Sequence, residues 1–358
     1  MNVIAWIGLS QSLFAAILMF NKKNSSLSDR ILSGWLILLA FEFLICSLDY
    51  QIFGQPLLSG SFLLFNPALY LYVSSLTKPK FKLRLIQLLH LLPYVIFEIF
   101  IYSIKEKFSL DTFFVHDKYL IFRLIFAIAT FISWLVYNPL SLILVHKHRM
   151  NLQNERSNIE KNENLGWVLT FSVFYVVFCI FAVIITVIAY YQQLNPLTPH
   201  IYNYATLLLL VYIMSFYGLR QETPGITFPE SENVRTPYQN STLSAEEKRV
   251  IKEKIFQFVE VRKAFLNPDL NMDLLAEKIK VPKYQITEVL STEIGKNFFQ
   301  FVNYYRVEAV KIMLLDPKNY YSIEAIGYEC GFSSKSTFYT VFKSMTGETP
   351  VTYRNKVK

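Results

Sequence analysis

Residues Ser322–Arg354 run SIEAIGYECGFSSKSTFYTVFKSMTGETPVTYR, and this stretch decides the fold of the C-terminal part of the chain. Ser322 is a typical N-cap residue, and the apolar residues behind it recur at helical spacing, which predicts a short helix over 323–330. Gly331 suits a tight turn, and Ser333 predicts the cap of a second helix over 334–345 that ends before Gly347. Two short helices joined by such a turn form a helix-turn-helix motif.

The same arrangement occurs once more, earlier in the chain. A short helix is predicted over 271–280, and Pro282 favours the start of a second helix over 283–293, which Gly295 ends. A longer helix over 298–315 links the two motifs. Residues Ser244 to Glu247 form a capping box, which predicts that the first helix of the domain begins there. We therefore predict an all-helical domain with tandem helix-turn-helix motifs over 244–358.

A resemblance to a known family rests on several short stretches. They are LNPDL at 266–270, LAEK at 275–278, FVN at 301–303, GFSS at 331–334 and TGETP at 346–350, the last followed by Tyr353-Arg354. On these residues the region from about 255 to 353 resembles the AraC/XylS-type DNA-binding domain. The resemblance implies a unit of seven helices whose two recognition helices enter adjacent major-groove turns on one face of double-stranded DNA. It does not cover the residues before this region.

The polar side chains of the second helix of each motif are the candidate DNA contacts, to base edges or to phosphates. They are Lys283, Gln285, Thr287 and Ser291 in the first motif, and Ser334, Lys335, Ser336, Thr337, Thr340 and Lys343 in the second. Gln285 has the groups to pair with adenine, and Lys335 to bind guanine or a phosphate. The sequence departs from the family pattern at Glu288 and Thr340, where a basic residue is common, and at Lys280, a turn position that suits glycine or asparagine. We therefore expect the second motif to contribute more to DNA binding than the first.

The rest of the chain is unusually apolar. Hydrophobic residues make up 53% of the sequence and charged residues only 17%, against roughly 25% charged residues in soluble proteins. Seven stretches approach the ~20 apolar residues that a membrane-spanning helix needs: Val3–Phe20, Ile31–Tyr50, Leu57–Thr77, Leu85–Ile104, Tyr119–Val145, Trp167–Tyr191 and His200–Leu219. The predicted fold class is therefore all-α: a seven-transmembrane-helix bundle over 1–219 plus the helical domain.

The orientation of the spans follows from the basic residues of the short loops. The loops after the first, third and fifth spans hold eleven: Lys22, Lys23, Arg30, Lys78, Lys80, Lys82, Arg84, Lys147, Arg149, Arg156 and Lys161. The loops on the other side hold three. The N-terminus is thus predicted outside and the C-terminal domain in the cytoplasm, behind a flexible linker over 220–243 that is rich in Pro, Thr, Ser and Asn.

Ionisable residues inside predicted spans are rare and mark candidate sites. Glu42, Glu98 and His90 are such residues, and we take them as a candidate intramembrane sensor, with a structural hydrogen bond between helices as the alternative. The sequence contains no catalytic motif, and its three dispersed cysteines form no metal-ligand cluster, so we expect no enzyme, no metal and no cofactor.

Together these features predict a membrane-bound, sequence-specific transcription regulator of the bacterial inner membrane that acts as a one-component signalling protein. Its partners would be double-stranded DNA, the lipid bilayer, a small-molecule or envelope signal and a second copy in a homodimer. The alternative is a membrane receptor or transporter whose tail is a protein-interaction module. The signal, the operator and the direction of regulation do not follow from the sequence.

Overall fold

A computed structural model describes residues 2–23, 25–54, 57–78, 81–107, 113–160, 163–194, 198–221, 243–316 and 318–356. These residues are mainly helical and contain no β-strand beyond isolated bridges, which confirms the predicted all-α class. They form two compact units, one from 2–146 with 165–221 and the other from 147–164 with 243–356. Most of the predicted linker, 222–242, lies outside the described residues.

The first unit contains the apolar helices, except that the end of the fifth, from residue 147, belongs to the second unit. They are α1 Asn2–Phe20, α2 Leu27–Phe53, α3 Ser61–Thr77, α4 Leu92–Ile104, α5 Leu120–Glu155, α6 Gly166–Tyr191 and α7 Thr198–Arg220. A 3₁₀ turn over Leu85–Leu91 precedes α4, and the two together make up the predicted fourth span. Pro93, in the first turn of α4, suits a helix start because its missing N–H has no partner to lose there.

Six helical stretches in the described residues are long and apolar enough to cross a membrane. The predicted third span falls short because α3 has 17 residues, so the count of seven is approximate. Residues 57–60 are held outside the helix: Leu57 bridges Lys107, and the Leu58 N–H donates to the Glu106 carbonyl at 2.9 Å.

Close helix contacts in the first unit rely on small residues, as is usual in membrane helix packing. A Cβ atom on Gly8 of α1 would lie 2.4 Å from the Phe43 ring of α2, and one on Gly218 of α7 would meet Leu32 of α2 at 2.4 Å. By contrast, α4 and α5 leave large apolar side chains such as Ile99 and Ile121 exposed. Exposed apolar surface of this kind fits contact with lipid.

The second unit contains α8 Ala245–Phe256, α9 Met272–Ile279, α10 Lys283–Val289, α11 Phe298–Leu315, α12 Ile323–Glu329, α13 Lys335–Thr346 and α14 Pro350–Asn355. It has two apolar cores, and α11 contributes to both. Phe298, Phe301 and Val302 belong to the first core, whereas Val307 and Val310 belong to the second. One long helix therefore holds the two motifs together.

Candidate nucleic-acid interface

The first motif consists of α9 and α10. Asn271 caps α9 by accepting a hydrogen bond from the Leu274 N–H at 2.9 Å. Lys280 ends this helix with a left-handed φ of 53°, the conformation for which glycine or asparagine is better suited. α10 is shorter than predicted, because a π turn over Leu290–Ile294 follows it before Gly295.

The second motif consists of α12 and α13, and its two helices cross closely. A Cβ atom on Gly327 would lie 2.6 Å from the Phe338 ring, so the small residue lets the helices approach. Gly331 has a φ of +91°, as its predicted turn position requires. Ser334, and not Ser333 as predicted, caps α13 by accepting from the Thr337 N–H at 3.2 Å.

Three of the four candidate contacts of the first motif, Lys283, Gln285 and Thr287, have partners within the protein. Lys283 forms ion pairs with Asp273 at 2.6 Å and Glu155 at 3.0 Å. Burial alone lowers the pKa of Lys283, but these two carboxylates outweigh burial and raise it above its usual value. Thr287 donates to the Lys283 carbonyl at 3.0 Å, and Gln285 donates to the Tyr284 hydroxyl at 3.3 Å. Of the four candidates, Ser291 is exposed and the other three are half-buried.

The candidate contacts of the second motif fall into two groups. Lys335, Thr340 and Lys343 are exposed, and Ser336 is half-buried on the same helix. Lys335 forms an ion pair with Glu324 at 2.5 Å, and this carboxylate raises the pKa of Lys335. In contrast, the Thr337 side chain is buried, and the Ser334 hydroxyl is occupied by the helix cap.

Two features of the first motif were not predicted. Tyr284 is 65% exposed on α10 and adds an aromatic side chain to this surface. Glu288 is buried and forms an ion pair with Lys248 of α8 at 2.9 Å, so its carboxylate serves the packing of α8 and does not face outward. The ion pair with Lys248 therefore explains why an acidic residue, Glu288, stands in this helix.

Residues 275–356, which begin within α9 and continue to the end of α14, match the family described as "Helix-turn-helix domain". The C-terminal unit carries an AraC-type helix-turn-helix domain. This match confirms the resemblance, and the matched family is one of DNA-binding regulatory domains, not of enzymes. No curated protein matches the chain. Among solved structures, a protein of unknown function from Listeria innocua is 25% identical and covers 30% of this chain and 98% of its own, with a TM-score of 0.28.

The AraC-type domain also binds a segment from outside the predicted domain, residues 153–160, which we call the 153–160 segment. Ser157 is fully buried. Its carbonyl accepts from Asn303 at 2.8 Å and from Arg306 at 3.1 Å, and its hydroxyl donates to the Leu270 carbonyl. Asn158 donates to the Pro268 carbonyl at 2.7 Å. Sequence reasoning missed this contact because it treated these residues as a loop between two spans.

Arg306 of α11 lies at the centre of this contact. Its guanidinium also donates to the Phe265 carbonyl at 2.8 Å and to the Asn267 carbonyl at 2.9 Å. Burial lowers the pKa of Arg306 to about 9. The group remains charged at neutral pH, so its hydrogen bonds must be satisfied within the protein.

The first unit brings together two of the three candidate sensor residues. Glu42 of α2 accepts hydrogen bonds from the Ser59 hydroxyl at 2.9 Å and the Tyr204 hydroxyl at 3.1 Å. Glu98 of α4 accepts from the N–H of Gly60 at 2.6 Å. The two carboxylates thus hold adjacent residues just before α3. His90, the third candidate, forms a hydrogen bond with a different residue: its Nδ1 lies 2.6 Å from the Tyr137 hydroxyl.

A cavity of about 430 Å³ lies beside this carboxylate pair in the first unit. Its wall is mainly apolar, from α5, α6 and α7, and includes Ser59 and Tyr204, both of which bind Glu42. Asn203 Oδ1 and Thr130 Oγ1 belong to its lining residues and have no hydrogen-bond partner among the described residues. Among those same residues, no group of three or more His, Cys, Asp or Glu could hold a metal ion.

Proposed function

We propose that this chain is a membrane-bound transcription regulator whose AraC-type domain binds promoter DNA through α10 and α13. The observation that carries the proposal is the pair of helix-turn-helix motifs held by α11, in a region that matches a DNA-binding family. The exposed Lys335 and Lys343 supply positive charge on α13 for the phosphate backbone. Gln285, Ser291, Ser336 and Thr340, which are exposed or half-buried, supply candidate base contacts.

Membrane attachment is supported by the six long apolar helices, and the loop charges favour a cytoplasmic C-terminus. The contact of the 153–160 segment with the AraC-type domain adds support, since both must lie on the same side of the membrane. Two candidate spans, α6 and α7, separate them in sequence, and two crossings return the chain to its starting side. We propose the bacterial inner membrane as its location, because a domain that binds promoter DNA must face the cytoplasm.

For the sensor, we propose the Glu42–Glu98 site and the cavity beside it. A volume of about 430 Å³ falls in the usual range for small-molecule sites, ~300–1,000 Å³. The apolar wall favours a largely apolar ligand, and Asn203 Oδ1 can accept one hydrogen bond from it. In this proposal a single chain both binds the signal and regulates transcription, as in a one-component signalling protein.

The test of DNA binding is a genome-wide chromatin pulldown of the tagged full-length protein. We expect discrete enriched sites that share a sequence, and we expect Lys335→Ala with Lys343→Ala to reduce their enrichment. The wild-type protein recovering no DNA beyond an unrelated membrane protein would favour the receptor or transporter alternative. Immunoblots of membrane fractions control for the amount of each variant.

A further inference from the structure

The 153–160 segment contacts the ends of both recognition helices. At α10, Glu155 forms its ion pair with Lys283, the first residue of that helix. At α13, the Ile159 carbonyl accepts from the Thr337 hydroxyl at 3.2 Å, and Thr337 lies in the first turn of that helix. The N-terminal residues of a recognition helix are the ones that contact base edges. The segment therefore occupies groups that DNA would use.

The AraC-type domain both donates hydrogen bonds to the segment and accepts hydrogen bonds from it. The domain donates through Asn303 and Arg306 to the Ser157 carbonyl, and it accepts from the segment at the carbonyls of Leu270 and Pro268. Asn158 also donates to the Gly331 carbonyl, in the turn of the second motif, at 3.0 Å. Together with the ion pair of Glu155, these hydrogen bonds connect the segment to the first motif, to α11 and to the turn of the second motif.

The carboxylate of Glu155 opposes DNA binding. It neutralises Lys283, whereas the charge of the exposed Glu160 is balanced within the segment by Arg156. Phosphate affinity comes from neutralisation by Lys and Arg side chains, so a carboxylate paired with such a lysine weakens it. The segment and a DNA backbone are therefore alternative partners of the same surface.

We propose that the 153–160 segment is an intramolecular ligand of the AraC-type domain that competes with DNA, and that its displacement permits DNA binding. The inference rests on the proposed function. The segment consists of the last three residues of α5, which ends at Glu155, and the five residues after it, and α6 begins at Gly166. Because only residues 156–165 separate these candidate spans, a movement of either helix acts directly on the segment.

The test uses the full-length protein in lipid nanodiscs and a short fluorescent DNA duplex of mixed sequence at low ionic strength. In Ser157→Trp, the large ring cannot enter the buried serine site, so the segment leaves the domain. Glu155→Gln breaks the ion pair with Lys283 and leaves the rest of the segment intact. Glu160→Gln is the matched control, because it removes the same charge from an exposed position of the same segment.

We expect Ser157→Trp to bind the duplex at least about fivefold more tightly than the wild type, the lower end of typical coupling between sites. Glu155→Gln should show a smaller increase and Glu160→Gln none. Amide hydrogen exchange over 153–160 should accelerate when DNA is added to the wild type. Circular dichroism controls for folding of each variant.

Equal or weaker binding by both Ser157→Trp and Glu155→Gln, with binding by the wild type intact, would overturn the competition alone. Unchanged exchange of the segment in the DNA complex would do the same. If neither the wild type nor any variant binds the duplex, the proposed DNA binding fails, and the inference fails with it.

Discussion

At the scale of single residues, Gly331 is the position where the second motif tolerates the least change. Its φ is +91°, and an added Cβ atom would lie 2.4 Å from the Phe265 carbonyl oxygen. Gly295 of the first motif also has a positive φ, +69°, but open space surrounds it. A substitution of Gly295 would therefore introduce backbone strain alone, whereas a substitution of Gly331 would introduce both strain and a steric clash.

We expect Gly295→Ala to lower the free energy of unfolding by about 1 kcal/mol, the usual cost of a left-handed non-glycine residue. Gly331→Ala should cost about 3 kcal/mol or more, because the clash with backbone adds to that strain. Hydrogen exchange of buried amides in α11 and α13 of the full-length protein measures both without unfolding the membrane helices. Similar values for the two variants would contradict the close packing at Gly331.

Lys335 and Lys343 are the exposed basic residues among the candidates on α13. Replacing both with alanine should weaken DNA binding and reduce the slope of log affinity against log salt by up to about two. Lys252→Ala with Lys254→Ala, on α8 outside both motifs, removes the same charge and is the control. A salt titration by fluorescence anisotropy gives both quantities, and equal losses in the two double variants would reject α13 as the DNA-facing helix.

At the scale of elements, the AraC-type domain consists of locally capped helices around two cores. Ser244 and Asn297 form capping boxes at the starts of α8 and α11, and Ser322 and Ser334 cap the helices of the second motif. We therefore expect residues 241–358 alone to form a soluble helical domain with reduced thiols. Circular dichroism tests this, and a mostly unfolded or strand-rich fragment would contradict it.

That fragment lacks the residues that cover Arg306 and Asn303. A peptide of residues 150–164 should therefore raise its melting temperature, since a ligand that binds only the folded state stabilises it increasingly as the ligand concentration rises above Kd. The same peptide with Ser157→Trp should have no effect. Equal shifts with both peptides would show that the contact is not specific for the serine site.

The helices α2 and α4 meet through Glu42 and Glu98 at residues 59–60. Glutamine keeps a hydrogen-bond acceptor but cannot carry charge, so Glu42→Gln and Glu98→Gln separate a structural role from a charge-dependent sensor. We expect both variants to insert normally and to lose regulation of the target genes, measured as transcript levels with protein controlled by immunoblot. Normal regulation by both across all growth conditions tested would assign the carboxylates a structural role.

At the scale of the whole molecule, the topology determines whether the domain can reach DNA. We expect reporter fusions after Leu219 and at Lys358 to be active in the cytoplasm, and one at the N-terminus to be active outside. Fusions within residues 147–164 should report the cytoplasm too, because this loop contacts the AraC-type domain. Periplasmic activity after Leu219 would contradict the orientation and, with it, access to DNA.

The sequence by itself determined the helices, the tandem motifs and the apolar spans. Each of these depends on neighbours in the chain: a cap acts within three residues, helical periodicity within a few turns, and a span within about 20 residues. The repeat of the two motifs was visible because each is a short local unit. Composition was sufficient to separate the apolar part from the charged domain.

Only the tertiary structure decided which polar residues are free and which have partners. The contact of Ser157 with Leu270 joins residues 113 positions apart, and that of Glu42 with Tyr204 joins residues 162 positions apart. The spacing of apolar residues along the sequence cannot predict a contact between residues so far apart. For the same reason Thr337, predicted to contact DNA, is buried, and Glu288, an anomaly in the sequence, is the ion-pair partner of Lys248. The 153–160 segment has the composition of a loop, and only a folded partner with matching donors and acceptors makes it part of the domain.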